Sequence, residues 1–496
     1  MVALLGVLVL AALLRVASFN GYGYRGGDDG VYADLAHSVV VGQFGAAHAQ
    51  GAPIYPGRIG TIAPAALFFR LFGPSERSLA VYPFIVSLAG IVLAFIAGRM
   101  IFGNGVGLIA ALLVALLPAD VRYATLLYPD PVAILFVNIA ILLVWRGVNS
   151  PNTSEKAIHG VLAGLALGLS WLCKESVLFS IPLIAGYLLW QIRLDRRDLV
   201  ILLALALGGC LVVVVEGVVY YHYLSDFFYH FHAIERHNRD PLAVPWFWKA
   251  DASWSALLAR LFRDGPETIL LSTQFGLVTS VAVLAVAYGF FKRAESLTFV
   301  GGWFAYEVLV LNFGSHSLHS YMPLPAWDRY FWSLLLPAVL LTSALLYSLT
   351  QPRTGSDGRF WAGALLCVMA VAMAHGIYRN LKEPNPREAE HVVARILPPS
   401  SQLFTDQIAV ESLRFLWHYP EVFNSRDFSG LEEDDIPTGA YVLVKPYNAE
   451  ILRQLGWRPP RFFEHQPQYW TVRWEDATAR LYHVPGRPDG RIERSR

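Results

Sequence analysis

Charge is what this 496-residue chain has least of. Asp, Glu, Lys and Arg make up 16% of it, against about a quarter of an average soluble domain. With 55% of residues hydrophobic, this deficit excludes a single soluble globule, and a disordered chain as well. Neither sign of charge is in excess, since Lys+Arg 39 balance Asp+Glu 38. No global basic field exists to recruit nucleic acid. Cysteine is scarce too. Cys173, Cys210 and Cys367 all lie in apolar runs, which leaves neither a disulfide framework nor a zinc pattern and reads as small core residues. Internal repeats and low-complexity segments are absent.

Long apolar runs are what the chain has instead. A helix crossing a bilayer needs about 20 mostly apolar residues. Eleven runs qualify or nearly do, at 2–19, 79–98, 104–118, 131–146, 157–173, 177–192, 199–220, 268–290, 297–313, 330–350 and 360–377. The first lacks the basic flank and small-residue cleavage site of a signal peptide and is read as a span. Lys and Arg in short loops set orientation. With the N-terminus cytoplasmic, the inner loops carry Arg99, Arg146 with Lys156, Arg193 with Arg196 and Arg197, Lys292 with Arg293, and Arg353 with Arg359. Every inner loop is then basic. Three long loops, 20–78, 221–267 and 314–329, fall outside together with the C-terminal tail.

Residues 379–496 concentrate the charge. Helix is expected over 387–397, and strands at Leu403–Thr405, Tyr441–Lys445, Tyr469–Trp474 and Ala479–Val484, which are β-branched and aromatic-rich. The expected architecture is a polytopic α-helical membrane part, residues 1–378, followed by a small extracytoplasmic α/β domain, residues 379–496. The cell (inner) membrane is the expected location.

Ionisable residues gather at the outer face. Asp28-Asp29 follow the first span directly. Adjacent carboxylates cannot project to one point on a helix, so different jobs are expected: one as a proton acceptor, the other capping a helix that begins near Val31. Pro129-Asp130-Pro131 opens the fourth span as a helix start, with Asp130 as its cap. Lys174-Glu175 interrupts an apolar stretch close to the bilayer, where charge is costly and points to function. Arg58 and Asp328-Arg329-Tyr330 lie at the outer interface, where arginine asks for a partner such as a lipid phosphate. His230 and His232 form a His-x-His pair, a weak metal candidate without further ligands at a firm spacing. His316 and His319 read as loop polar groups. Interfacial contact is the preferred reading of the 229–237 stretch.

The order of these motifs resembles the GT-C superfamily of membrane glycosyltransferases, in particular the branch of protein O-mannosyltransferases and the lipid A aminoarabinose transferase. Asp28-Asp29 with Tyr32 is similar to that branch's acidic pair, although its second acid is usually Glu. Phe68-Phe69-Arg70-Leu71-Phe72-Gly73 with Glu76-Arg77 matches its juxtamembrane phrase. Asp130, the Gly164–Leu169 stretch closed by Lys174, and Arg329-Tyr330 with Pro337 follow in order. Arg58-Ile59-Gly60-Thr61 stands where the branch has a His-Pro-Pro or Lys-Pro-Pro element, so the transfer to Arg58 is loose. The likeness covers roughly residues 1–378.

What the resemblance implies is an inverting transferase that takes a sugar from a polyprenyl-phosphate donor to an acceptor hydroxyl at the outer face. Asp28 would be the base, with Asp29 and Asp130 as further catalytic carboxylates. Arg58, Lys174, Arg329, Tyr330 and Tyr32 would bind the donor's phosphate and sugar. Membrane lipids and a glycan, glycolipid or protein acceptor are the expected partners. No cofactor is firmly implied, with a divalent metal left open. A transporter or lipid flippase, a non-catalytic scaffold and a metal-dependent oligosaccharyltransferase are the competing readings.

Overall fold

Apolar runs in hydrocarbon fold as helices because only intrasegment hydrogen bonds can satisfy their backbone. In the computed structural model the described residues are 2–19, 24–44, 54–239, 253–292, 295–315, 321, 323–324, 328–351, 355–383, 385–454 and 458–485. His316 and His319 lie outside them.

Helix α1 (Val2–Ser18) is followed by α2 (Asp28–Val40) and α3 (Ile59–Phe72) of the first long loop. Next come α4 (Glu76–Phe102), α5 (Asn104–Leu116), α6 (Pro118–Tyr123), α7 (Pro129–Val148) and α8 (Thr153–Cys173). A 3₁₀ segment, Glu175–Ser180, leads into α9 (Ile181–Leu194) and α10 (Leu199–Leu224). After it come α11 (Tyr229–Arg239), α12 (Trp254–Ala259) and α13 (Gly265–Leu271). Helices α14 (Gly276–Lys292), α15 (Glu295–Phe313), α16 (Trp332–Leu349) and α17 (Gly355–Lys382) complete the helical part.

Among the described residues, eight helices are long and apolar enough to cross a membrane. The chain is a multi-pass membrane protein. The first, third and eighth expected runs form shorter apolar helices. The eighth, 268–290, is not one helix, since α13 ends at Leu271 and α14 starts at Gly276. Hydroxyls bridge that break: Thr279 donates to the Ile269 carbonyl and Ser280 to that of Leu270, satisfying groups an unbroken helix would pair internally.

The glycines of α8 serve packing. A Cβ on Gly164 would overlap the Leu205 carbonyl, and one on Gly208 would overlap that of Val161. Helices α8 and α10 therefore approach backbone to backbone, the small-residue mode of helix association in lipid. The close seam holds α8, at whose C-terminal end Lys174 and Glu175 sit. Buried in the bundle, Arg15 of α1 pairs with Asp120 of α6 and donates to Ser87 of α4 at 2.6 Å.

The C-terminal domain contains α18 (Glu388–Ile396), β1 (Leu403–Thr405), α19 (Gln407–Leu416), β2 (Ser425–Asp427), β3 (Tyr441–Val444), α20 (Pro446–Gln454), α21 (Arg461–Glu464), β4 (Thr471–Glu475) and β5 (Arg480–His483). Its sheet order is β2-β1-β3-β5-β4. β1 runs parallel to both β2 and β3, while β5 runs antiparallel to β3 and β4. The expected helix and four strands are present, and β2 is an addition. This domain sits on the first long loop. Phe415 packs on Tyr24 and Phe69, the Tyr419 hydroxyl donates to Asp34 at 2.6 Å, and the Tyr24 hydroxyl to Ser412 at 3.1 Å.

Candidate active site

Five elements meet at one end of the bundle: the start of α2, the 55–58 turn, the start of α7, the end of α8, and the turn before α16. Three cations meet three carboxylates there. Arg329 Nη1 donates to Asp28 Oδ2 at 2.8 Å. Arg58 grips Glu175 with two donors, Nη2 at 2.7 Å and Nε at 3.2 Å. Lys174 Nζ lies 2.5 Å from Asp130 Oδ1. Desolvated charges at this depth need such partners to be tolerated.

Tyrosines link the pairs. Tyr55 donates its hydroxyl to Asp28 Oδ1 at 2.9 Å, and Arg58 Nη1 donates to the Tyr32 hydroxyl at 2.6 Å. Lys174 Nζ stands 4.8 Å from the centre of the Tyr330 ring, and Arg329 stands over the faces of Tyr128 and Tyr330. Arg329 also donates to the Tyr330 hydroxyl at 3.3 Å. Asp28, Tyr32, Arg58, Asp130, Lys174, Arg329 and Tyr330, all singled out in the sequence, thus form one cluster.

The acidic pair divides, and neither member is a helix cap. The position before α2 is Gly27, and neither carboxylate caps the helix. Asp29 turns back instead, accepting from the backbone N–H of Arg25 at 2.5 Å and of Gly27 at 2.8 Å. It is fully buried, whereas the Asp28 side chain keeps 21% exposure. Burial raises the Asp29 pKa, against those two N–H groups and with the help of the Asp28 charge. Asp28 feels burial too, but Arg329, Arg58, the Tyr55 hydroxyl and Lys174 outweigh it and hold its carboxyl below the usual range. Asp130 is likewise not a cap. It lies inside α7, after Pro129 at the helix start, and one of its oxygens is buried without a hydrogen-bond partner.

Sequence reasoning missed Tyr55 and Tyr128, and it missed Glu175 as the partner of Arg58. Glu175 was visible only as a charge beside Lys174. Tyr55 was visible only as part of the Tyr55–Arg58 turn. The histidine pair does not converge. His230 is buried against Glu216 at 2.7 Å and lies over the Trp171 ring, while His232 is exposed and pairs with Asp226 at 2.9 Å. On the helix α11 the two project to different sides, as alternate residues of a helix must. Among the described residues no group of three or more His, Cys, Asp or Glu side chains could hold a metal ion.

The chain is a polytopic helical bundle with paired acids and cations at one end and a small sheet domain packed over its first long loop, and known proteins share that fold. A family profile described as dolichyl-phosphate-mannose-protein mannosyltransferase matches residues 62–220. The undecaprenyl phosphate-alpha-4-amino-4-deoxy-L-arabinose arabinosyl transferase of Pseudomonas aeruginosa strain UCBPP-PA14 is 24% identical over 277 residues, 52% of this chain and 50% of that protein. The chain thus spans about half the length of the curated relatives it matches. Among solved structures, ArnT from Cupriavidus metallidurans bound to undecaprenyl phosphate superposes with a TM-score of 0.56 at 14% identity, over 96% of this chain and 97% of ArnT. The apo oligosaccharyltransferase of Archaeoglobus fulgidus gives 0.55 at 13% identity, over 89% and 69% of the two chains.

Proposed function

We propose that this protein is an inverting glycosyltransferase that moves a sugar from a polyprenyl phosphate to an acceptor hydroxyl at the outer face of the membrane. The Asp28–Arg329 pair carries the reading. It joins a partly exposed carboxylate to a cation beside two further cation–carboxylate pairs, at the end of a membrane bundle. The similarity to aminoarabinose transferases and to a structure holding undecaprenyl phosphate supports the donor class.

In the proposed step the acceptor oxygen attacks the anomeric carbon while the bond from that carbon to the phosphate oxygen breaks. The electron pair leaves with the polyprenyl phosphate, and the acceptor proton passes to Asp28. A phosphate leaving group departs as an anion and needs cations rather than an acid. Arg329, Lys174 and Arg58 supply them, with Tyr330 and Tyr32 as hydroxyl partners. Each of these cations is bound to a carboxylate, so donor binding is an exchange of partners. As Arg329 turns from Asp28 to phosphate, Asp28 loses the charge that depresses its basicity and becomes a better base. Asp130 retains Lys174, and Asp29 fixes the turn before Asp28.

The proposed reaction has the protein in the inner membrane with a cytoplasmic N-terminus and residues 379–496 outside, the orientation that the basic short loops support. The acceptor is a hydroxyl of a glycan, glycolipid or protein. His230 and His232 have different partners, so that pair is not where a metal for the step would be held. The test is sugar release from a panel of polyprenyl-phosphate monosaccharides in nanodiscs, by wild type and Asp28→Asn. Donor-specific release that the substitution abolishes supports the reading. No turnover on any donor, in the presence of membrane acceptors, would overturn it.

A further inference from the structure

Among the contacts of the C-terminal domain with the first long loop, one side chain reaches the turn just before Asp28. Arg387 is 3% exposed. Within its own domain Nη1 is held by Glu390 at 3.1 Å and Asn448 at 2.9 Å, and Lys445 anchors Glu390 at 2.5 Å. The remaining edge of the guanidinium crosses the domain boundary. Nε donates to the Arg25 carbonyl at 3.1 Å and Nη2 to the Gly26 carbonyl at 2.8 Å.

The N–H groups of the same turn are gripped from the other side, those of Arg25 and Gly27 by Asp29. Gly26 has a φ of +66°, and a Cβ there would overlap the Arg387 guanidinium. Arg387 and Asp29 thus clamp residues 25–27 from opposite sides, and Asp28 is the next residue.

We propose that Arg387 is a positioning residue for the reaction: it sets the backbone that carries Asp28, which makes the C-terminal domain part of the catalytic apparatus. The proposal rests on the reading of Asp28 as the base. The donor cations Arg58, Lys174 and Arg329 belong to the helical part, so loosening the clamp impairs turnover and spares donor binding. A misplacement of about 1 Å at a reacting group costs on the order of 100-fold in rate. Lysine cannot restore the fork, because an ammonium is a point donor that lacks the planar pair.

The experiment uses full-length protein in nanodiscs, as wild type, Arg387→Lys and Gly26→Ala. Three quantities are read: hydrogen exchange of residues 24–30, binding of undecaprenyl phosphate, and sugar release at saturating donor. Both variants are expected to exchange at least about 10-fold faster over 25–29, with exchange in β1, β3 and β5 unchanged. Release should fall about 100-fold, with undecaprenyl phosphate affinity within about twofold of wild type. Gly26→Ala approaches the contact from the other side with Arg387 intact, so it decides the matter if Arg387→Lys perturbs the domain. Wild-type release from a loosened turn would overturn the proposal, as would unchanged exchange in both variants. If wild-type protein releases no sugar from any donor, the glycosyl-transfer reading fails, and the exchange data alone decide whether the clamp exists.

Discussion

Arg329 Nη1 and Asp28 Oδ2 meet at 2.8 Å across 301 positions of sequence. The pair joins the turn before α16 to the start of α2, and it places the proposed phosphate-binding group in direct contact with the proposed base. Binding of donor and readiness of the base are then coupled through one guanidinium.

Asp28→Asn removes the base and also the competitor for Arg329. Sugar release is expected to fall about 10²- to 10⁴-fold, the range for a positioned general base. Undecaprenyl phosphate should bind as tightly as to wild type, or more tightly. Turnover near the wild-type rate would reject the assignment.

Substituting Arg329 acts on binding. A hydrogen bond to a charged group contributes about 1.5–3 kcal/mol. Arg329→Ala should therefore weaken undecaprenyl phosphate binding about 10- to 100-fold, and Arg329→Lys should do so less. Titration of the purified protein with the lipid checks this, and an unchanged affinity would remove Arg329 from the phosphate site.

Lys174 and Asp130 are both almost fully buried. Breaking one side of such a pair costs about 3–5 kcal/mol, because the other charge is left uncompensated. Asp130→Asn should lower the melting temperature markedly. The double variant Lys174→Met/Asp130→Leu should recover much of that loss yet still bind undecaprenyl phosphate poorly. Full binding by the double variant would show that Lys174 serves stability alone.

Asp34 gives a pH signature to domain docking. Burial pushes its carboxyl up to about 6, against the hydrogen bond from Tyr419 and with the help of the Glu411 charge. The unfolded value is about 3.9. The folded state therefore binds the proton more readily between these values, and stability falls as pH rises through that window. Asp34→Asn, which still accepts from Tyr419, should raise the melting temperature at pH 7.5 and bring little gain near pH 4. A gain equal at both values would contradict this account.

Much of the site was legible as residue types in places. Asp28, Asp130, Lys174 and Arg329 stood out because charge beside a bilayer is costly and needs a reason. What each touches was not legible. Asp28-Asp29 read as one motif, yet one carboxylate faces Arg329 and Tyr55 while the other binds the backbone behind it. Arg58 read as a loose match, yet its bidentate grip on Glu175 and its contact with Tyr32 bring it into the cluster. The His-x-His pair suggested a metal, and helix geometry sent its two rings to different partners. In the C-terminal domain, β2 was missed because Ser425–Asp427 has no apolar alternation, being an edge strand fixed by pairing with β1.

By itself, the sequence determined that the chain lies in a membrane and roughly where it crosses. Those features are local, since lipid selects each apolar run one segment at a time and the flanking charges follow from the same solvent boundary. Tertiary structure alone decided which cation meets which carboxylate, which of two adjacent acids stays accessible, and that Arg387 closes on the turn before Asp28. Those outcomes depend on helix order and on the close α8–α10 approach that glycines permit. They depend also on side chains hundreds of positions apart finding one another, because an unpaired buried charge is too costly to leave alone.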